Sequence, residues 1–161
     1  MSTLVARVQE LADISYTSVS QEDFVVDWLK AGLLSLIRLI PPKVQWNYAT
    51  ESTDSDGATG ASLDGAILLG AAKSGRVAVQ WPLERKAELS DSASLYQASA
   101  FSPRFYIEKN RVYVLPGGGT VYMITVPKIT SATSNIDNLP EQFAEIACLY
   151  AAMRLYVAMC Q

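Results

Sequence analysis

The sequence predicts an α+β protein: a helical body, formed by N-terminal helices and a long C-terminal helix, with an inserted small antiparallel β-sheet. Three observations predict it. Helix-period apolar patterns occupy residues 3–13, 20–40 and 138–160. Strand-period alternation punctuated by glycine and proline occupies residues 76–128. The strand-like stretch lies between the helical ends rather than after them, which makes it an insertion. The 161 residues are read as a single domain, with residues 1–42 helical, 76–128 β-rich and 138–161 the C-terminal helix. A domain of that length buries roughly two-thirds of its unfolded surface.

The elements follow in chain order. Leu4, Val5, Val8, Leu11 and Ala12 recur close to i, i+3, i+4, i+7, giving a short docking helix. The second helix runs to Ile40 and stops at Pro41 and Pro42. Asp23, Asp27, Lys30 and Arg38 share a narrow polar strip on it. Val25, Trp28, Leu29, Gly32, Leu33, Leu36, Ile37 and Ile40 form a wide apolar face, as in a central core helix.

Residues 49–65 change character to Ser, Thr, Gly and Ala, with Glu51, Asp54, Asp56 and Asp64 and no basic residue. They read as a long mobile loop, a projecting acidic arm. From Arg76 onward, Val77, Val79 and Trp81 alternate with Arg76, Ala78 and Gln80. Strands follow at 105–107, 112–115 and 121–126, with a turn at Lys109-Asn110 and a hairpin turn at Gly117-Gly118-Gly119. Pro82, Pro103, Pro116 and Pro127 stand where strands end, because proline has no ladder donor.

The last helix is the most informative element. Asp137 and Asn138 suit its N-cap, Pro140 its first turn, and Glu141 and Glu145 its positive dipole end. Beyond Glu145 the single charge is Arg154. Small Ala147, Ala151, Ala152 and Ala158 alternate with Tyr150, Met153, Tyr156 and Met159 all round the axis. A surface helix shows one apolar stripe and one polar face. This one therefore calls for cover from beyond the chain's own core, and Ile146, Tyr150, Ala151, Met153, Arg154, Tyr156 and Val157 are the expected subunit or partner interface.

Composition narrows the function. Thirteen basic residues against sixteen acidic ones, net charge −3, argue against a protein built to grip phosphates. Residues 1–12 carry Arg7 and Glu10 in a helical pattern, so no secretory leader is expected there. Asp27, Lys30 and Arg38 interrupt the longest apolar run, so no membrane span is expected either. The absence of histidine removes the usual general base and the commonest metal ligand, so no enzyme activity, cofactor or metal site is expected. Cys148 and Cys160 share the last helix, about 18 Å apart, too far for a disulfide.

Chemical lookalikes fail on spacing. A phosphate-binding loop ending at Lys73-Ser74 needs glycine where Ile67 and Ala72 stand. A calcium loop around Asp54-Ser55-Asp56-Gly57 would place Ser52 first and Leu63 at its closing position. Tyr96, Phe101, Phe105, Tyr106 and Tyr113 at strand spacing suit one side of a sheet core better than base stacking. Arg104, Lys109 and Arg111 suit solvated strand ends or interface groups.

Taken together, four places resemble the neck, or head-to-tail connector, proteins of tailed bacteriophages, small adaptors that form a ring beneath the portal. They are Phe24-Val25-Val26-Asp27-Trp28-Leu29-Lys30-Ala31-Gly32 with its continuation to Pro41; Ser90-Asp91-Ser92-Ala93-Ser94-Leu95-Tyr96-Gln97-Ala98-Ser99; Phe105 to Pro116, with Asn110-Arg111-Val112-Tyr113-Val114-Leu115-Pro116; and residues 138–155. The resemblance implies a virion structural protein, assembled in the host cytoplasm as a homo-oligomeric ring of about twelve copies. It also implies contact with the portal on one side, with the next neck or tail protein on the other, and passage of genomic DNA without sequence-specific binding. Glu51, Asp54, Asp56 and Asp64 would then face the channel or the partner ring. The alternative is a tail-associated binding module whose aromatic β-sheet face holds a sugar or peptide.

Overall fold

The computed structural model describes residues 2–15, 19–136 and 139–159, and the chain is α+β. It divides into two compact units, one formed by residues 1–48 with 126–161 and the other by residues 49–125.

The first unit is helical. Helix α1, Leu4–Ala12, is opened by Thr3, whose hydroxyl accepts the Ala6 N–H at 3.2 Å, and closed by Asp13 in the left-handed region. Helix α2 is Val19–Leu39, followed by a single turn α3, Pro42–Gln45, and a 3-10 turn at Trp46–Tyr48. The Gln45 amide donates to the carbonyls of Ile37 (3.1 Å) and Ile40 (3.0 Å), satisfying acceptors that the end of α2 leaves open. Helix α4 is Glu141–Met159. The expected cap residues Asp137 and Asn138, and Cys160, lie outside the described residues.

The core of this unit joins Leu4, Val5 and Val8 to Val25, Val26, Leu29 and Leu33 and to a largely small-residue side of α4. The apolar face expected on α2 is the face it buries: Val25, Leu29, Leu33 and Ile37 are fully buried, and Trp28 and Leu36 half-buried. Gly32 lets α2 approach α4. A Cβ there would stand 3.1 Å from the Tyr150 ring and 3.5 Å from the Ala147 Cα.

The second unit holds strands β1 (Thr50–Asp54), β2 (Ala61–Ser62), β3 (Ile67–Lys73), β4 (Arg76–Val77), β5 (Val79–Gln80), β6 (Arg104–Glu108), β7 (Arg111–Leu115) and β8 (Gly119–Ile124). They make two four-stranded sheets instead of the one small sheet expected. The first has order β1-β8-β3-β4; the second has order β2-β7-β6-β5, with β5 parallel to β6. Three strands precede residue 76. Strand β3 is partly buried along most of its length and so shows no alternation in sequence.

Two further expectations change. Residues 76–81, where Val77, Val79 and Trp81 alternate with Arg76, Ala78 and Gln80, are not one strand. Strands β4 and β5 belong to different sheets, Ala78 between them is buried and donates its N–H to Ala71 at 2.8 Å, and Val77 and Val79 are exposed. The segment Gly117-Gly118-Gly119 is not a hairpin turn, since β7 and β8 do not pair; it carries the chain from one sheet to the other. Gly118, at φ 80°, lies so close to the Asp54 and Asp56 backbone that no side chain fits. The Lys109-Asn110 turn is as expected: both residues have positive φ and join β6 to β7 in a two-residue hairpin.

Candidate functional site: an outward apolar face of the last helix

Successive residues of α4 turn by about 100°, which sorts its apolar side chains onto two opposite sides. Ala144, Ala147, Cys148, Ala151, Ala152 and Leu155 are buried in the helical core. Ile146, Leu149, Met153, Tyr156 and Val157 form the other side, each 45–58% exposed. Apart from Leu155, small side chains thus face inward and large ones outward, the reverse of what water alone would favour.

Of the seven interface residues expected from sequence, Ile146, Met153, Tyr156 and Val157 lie on this outward stripe. Arg154 is exposed beside it and donates to the Tyr150 hydroxyl from Nε (3.3 Å) and Nη2 (3.2 Å), its guanidinium lying over the ring. Tyr150 is half-buried against Gly32 of α2. Ala151 belongs elsewhere: it is fully buried, so it packs the subunit's own core. Leu149 was missed, although its spacing of three residues from Ile146 and four from Met153 marks it as part of the same stripe.

Beside the stripe, α1 and α4 frame a groove of about 460 Å³ lined by Arg7, Glu10, Leu11, Glu145, Cys148 and Leu149. Burial pushes the Cys148 thiol above its ordinary pKa, and its Sγ lies 3.8 Å from the Leu4 carbonyl. Such a thiol packs as an apolar group and makes a poor nucleophile.

The acidic segment is not a projecting arm. Thr50–Asp54 is strand β1, paired along its length with β8. Asp54 is 2% exposed. Its Oδ1 accepts the N–H groups of Gly57 (3.0 Å) and Gly60 (3.2 Å), and its Oδ2 that of Val114 (2.8 Å). It fastens a tight turn to β7, and both of its carboxylate oxygens are engaged by backbone N–H groups. Asp56 accepts from the Ala58 and Thr59 amides and the Thr59 hydroxyl, which holds its carboxyl below the usual range, the Thr59 amide being the largest cause. Asp64 accepts from the Ser62 hydroxyl at 2.7 Å, and Glu51 is exposed on β1. Polar side chains bonding the backbone replace apolar periodicity here, so the segment reads as loop.

The aromatic residues are engaged by their own neighbours. Phe105 is buried, and Tyr106 and Tyr113 stack across β6 and β7 at 4.9 Å. Trp81 lies 5.0 Å from Tyr96, with the Arg104 guanidinium over Trp81 at 4.3 Å and that of Arg85 over both rings. Phe101 stands apart, 80% exposed, under the Arg76 guanidinium at 5.3 Å.

No protein-family model, curated protein or solved structure matches this chain. Among the described residues, no helix is long and apolar enough to cross a membrane, and no group of three or more Cys, Asp or Glu is placed to hold a metal ion.

Proposed function

We propose that this chain is a structural subunit of a phage neck, assembling into a ring that joins the portal vertex of the head to the tail and surrounds the path of the DNA. The observation that carries the reading is the outward side of α4, where Ile146, Leu149, Met153, Tyr156 and Val157 stand in solvent above a small-residue inner side. A monomer gains nothing from that arrangement. A subunit whose last helix is covered by a neighbour or by the portal gains about 1 kcal/mol for each half-exposed large side chain that becomes buried.

The resemblance read from the sequence supplies the class of partner, and the helical body with an inserted β-rich unit is the architecture it implies. Net charge −3 suits a wall along which DNA passes without being held. The reading is tested by native mass spectrometry and mass photometry of the chain, alone and with the portal protein of the same genome. Closed rings, or portal rings carrying this chain, are the expected result. A chain that stays monomeric and never joins portal rings refutes it.

A further inference from the structure

We infer that the Phe101–Arg76 pair of one copy seats in the α1–α4 groove of a second copy, making the head-to-tail contact of the ring; this rests on the ring reading above. Phe101 is 80% exposed and is held in a tight turn where Ser99 and Ser102 exchange backbone hydrogen bonds at 3.2 Å each. The Ser99 hydroxyl also accepts the Ser102 N–H at 3.1 Å. An exposed aromatic presented on so constrained a turn is a preorganised knob, losing little freedom when it docks.

The groove has a matching character. Its apolar floor is Leu11, Cys148 and Leu149, and its volume of about 460 Å³ accommodates an aromatic side chain. Its charged wall is net acidic, Glu10 and Glu145 against Arg7. Among the described residues neither glutamate forms an ion pair, and Arg76 has no carboxylate partner. Phe101 entering the groove would bring the guanidinium stacked on it to those carboxylates.

Both halves of the contact belong to the same chain, which identifies the occupant as a second copy. Knob and groove are different surfaces, so the contact is heterologous and propagates until it closes on itself. The exposed Phe101 and the Leu11–Leu149 groove are then covered at once.

The test uses two variants of the full chain, Phe101→Asp, which spoils the knob, and Glu145→Arg, which spoils the groove. Circular dichroism melts confirm that each folds. Under conditions where the wild type assembles, alone or on portal, each variant should weaken self-association at least tenfold. An equimolar mixture should form one-to-one dimers and stop, because only the intact knob of Glu145→Arg and the intact groove of Phe101→Asp can meet. The double variant Arg76→Glu, Glu145→Arg should recover assembly by exchanging the charges. If both single variants form rings like the wild type, or their mixture stays monomeric, the knob-and-groove contact is wrong while the ring reading stands. Cross-linking of Phe101→Cys to portal instead of to a second copy overturns it too. A wild type that never oligomerises, alone or with portal, removes both.

Discussion

Placing arginine at two neighbouring positions of α4 separates the outward stripe from the subunit core. Met153 is 58% exposed and Ala151 fully buried, although they stand two positions apart. In the free subunit Met153→Arg exchanges one solvated side chain for another, and its cost stays within about 0.5 kcal/mol. In an assembly that covers the stripe, the same change forfeits about 1–2 kcal/mol of methionine burial. It also leaves an unpaired charge in the contact, worth about 3–5 kcal/mol. The sum, roughly 4–7 kcal/mol, weakens association by about a thousandfold or more. Ala151→Arg acts the other way round. It combines a buried charge with overpacking of about 1–3 kcal/mol, against a total stability of about 5–15 kcal/mol. Urea unfolding followed by fluorescence of Trp28, Trp46 and Trp81 reads the subunit; native mass spectrometry reads the assembly. The expected result is a folded, non-assembling Met153→Arg and a strongly destabilised Ala151→Arg. Wild-type assembly by Met153→Arg, or equal loss of subunit stability in both variants, refutes the division of α4 into a core side and a contact side.

Two further predictions concern the acidic segment. Asp54→Ala strands the N–H groups of Gly57, Gly60 and Val114, at about 1–3 kcal/mol for each one left unsatisfied, and should lower the melting temperature by roughly 10 °C. An unchanged melt would restore the picture of a free arm. The Asp56 carboxyl, held down by the Thr59 and Ala58 amides and the Thr59 hydroxyl, should titrate below its ordinary value. A depressed folded pKa means that its contribution is fully present above the unfolded value of about 3.9 and is lost as pH falls through the lower folded one. Carbonyl NMR titration checks this, with Thr59→Val moving the midpoint upward; an Asp56 midpoint at the ordinary carboxylate value contradicts it.

Where the chain obeys one strong period, the sequence was enough. The i, i+3, i+4 recurrence of Leu4, Val5 and Val8, and of Val25, Leu29 and Leu33, fixes which faces pack. The excess of apolar side chains around α4 announces that one core cannot use them all. The Lys109-Asn110 hairpin is written in two residues that tolerate positive φ. These are local properties, set by neighbours a few positions away.

Tertiary structure decided the rest, because the deciding contacts join residues far apart in the chain. Nothing near Asp54 in sequence shows that Val114, sixty positions on, will donate to it; without that partner a run of Ser, Thr, Gly and Asp has the composition of a loop. The assignment of β4 and β5 to different sheets depends on Ala78 bonding Ala71 on one side and on Val79 and Trp81 bonding Pro103 and Phe105 on the other. Periodicity marks Ala147, Tyr150, Ala151 and Met153 alike as apolar. Only the approach of α1 and α2 to α4, with Gly32 against Tyr150 and Ala147, determines that Ala151 is sealed inside while Met153 stays in solvent.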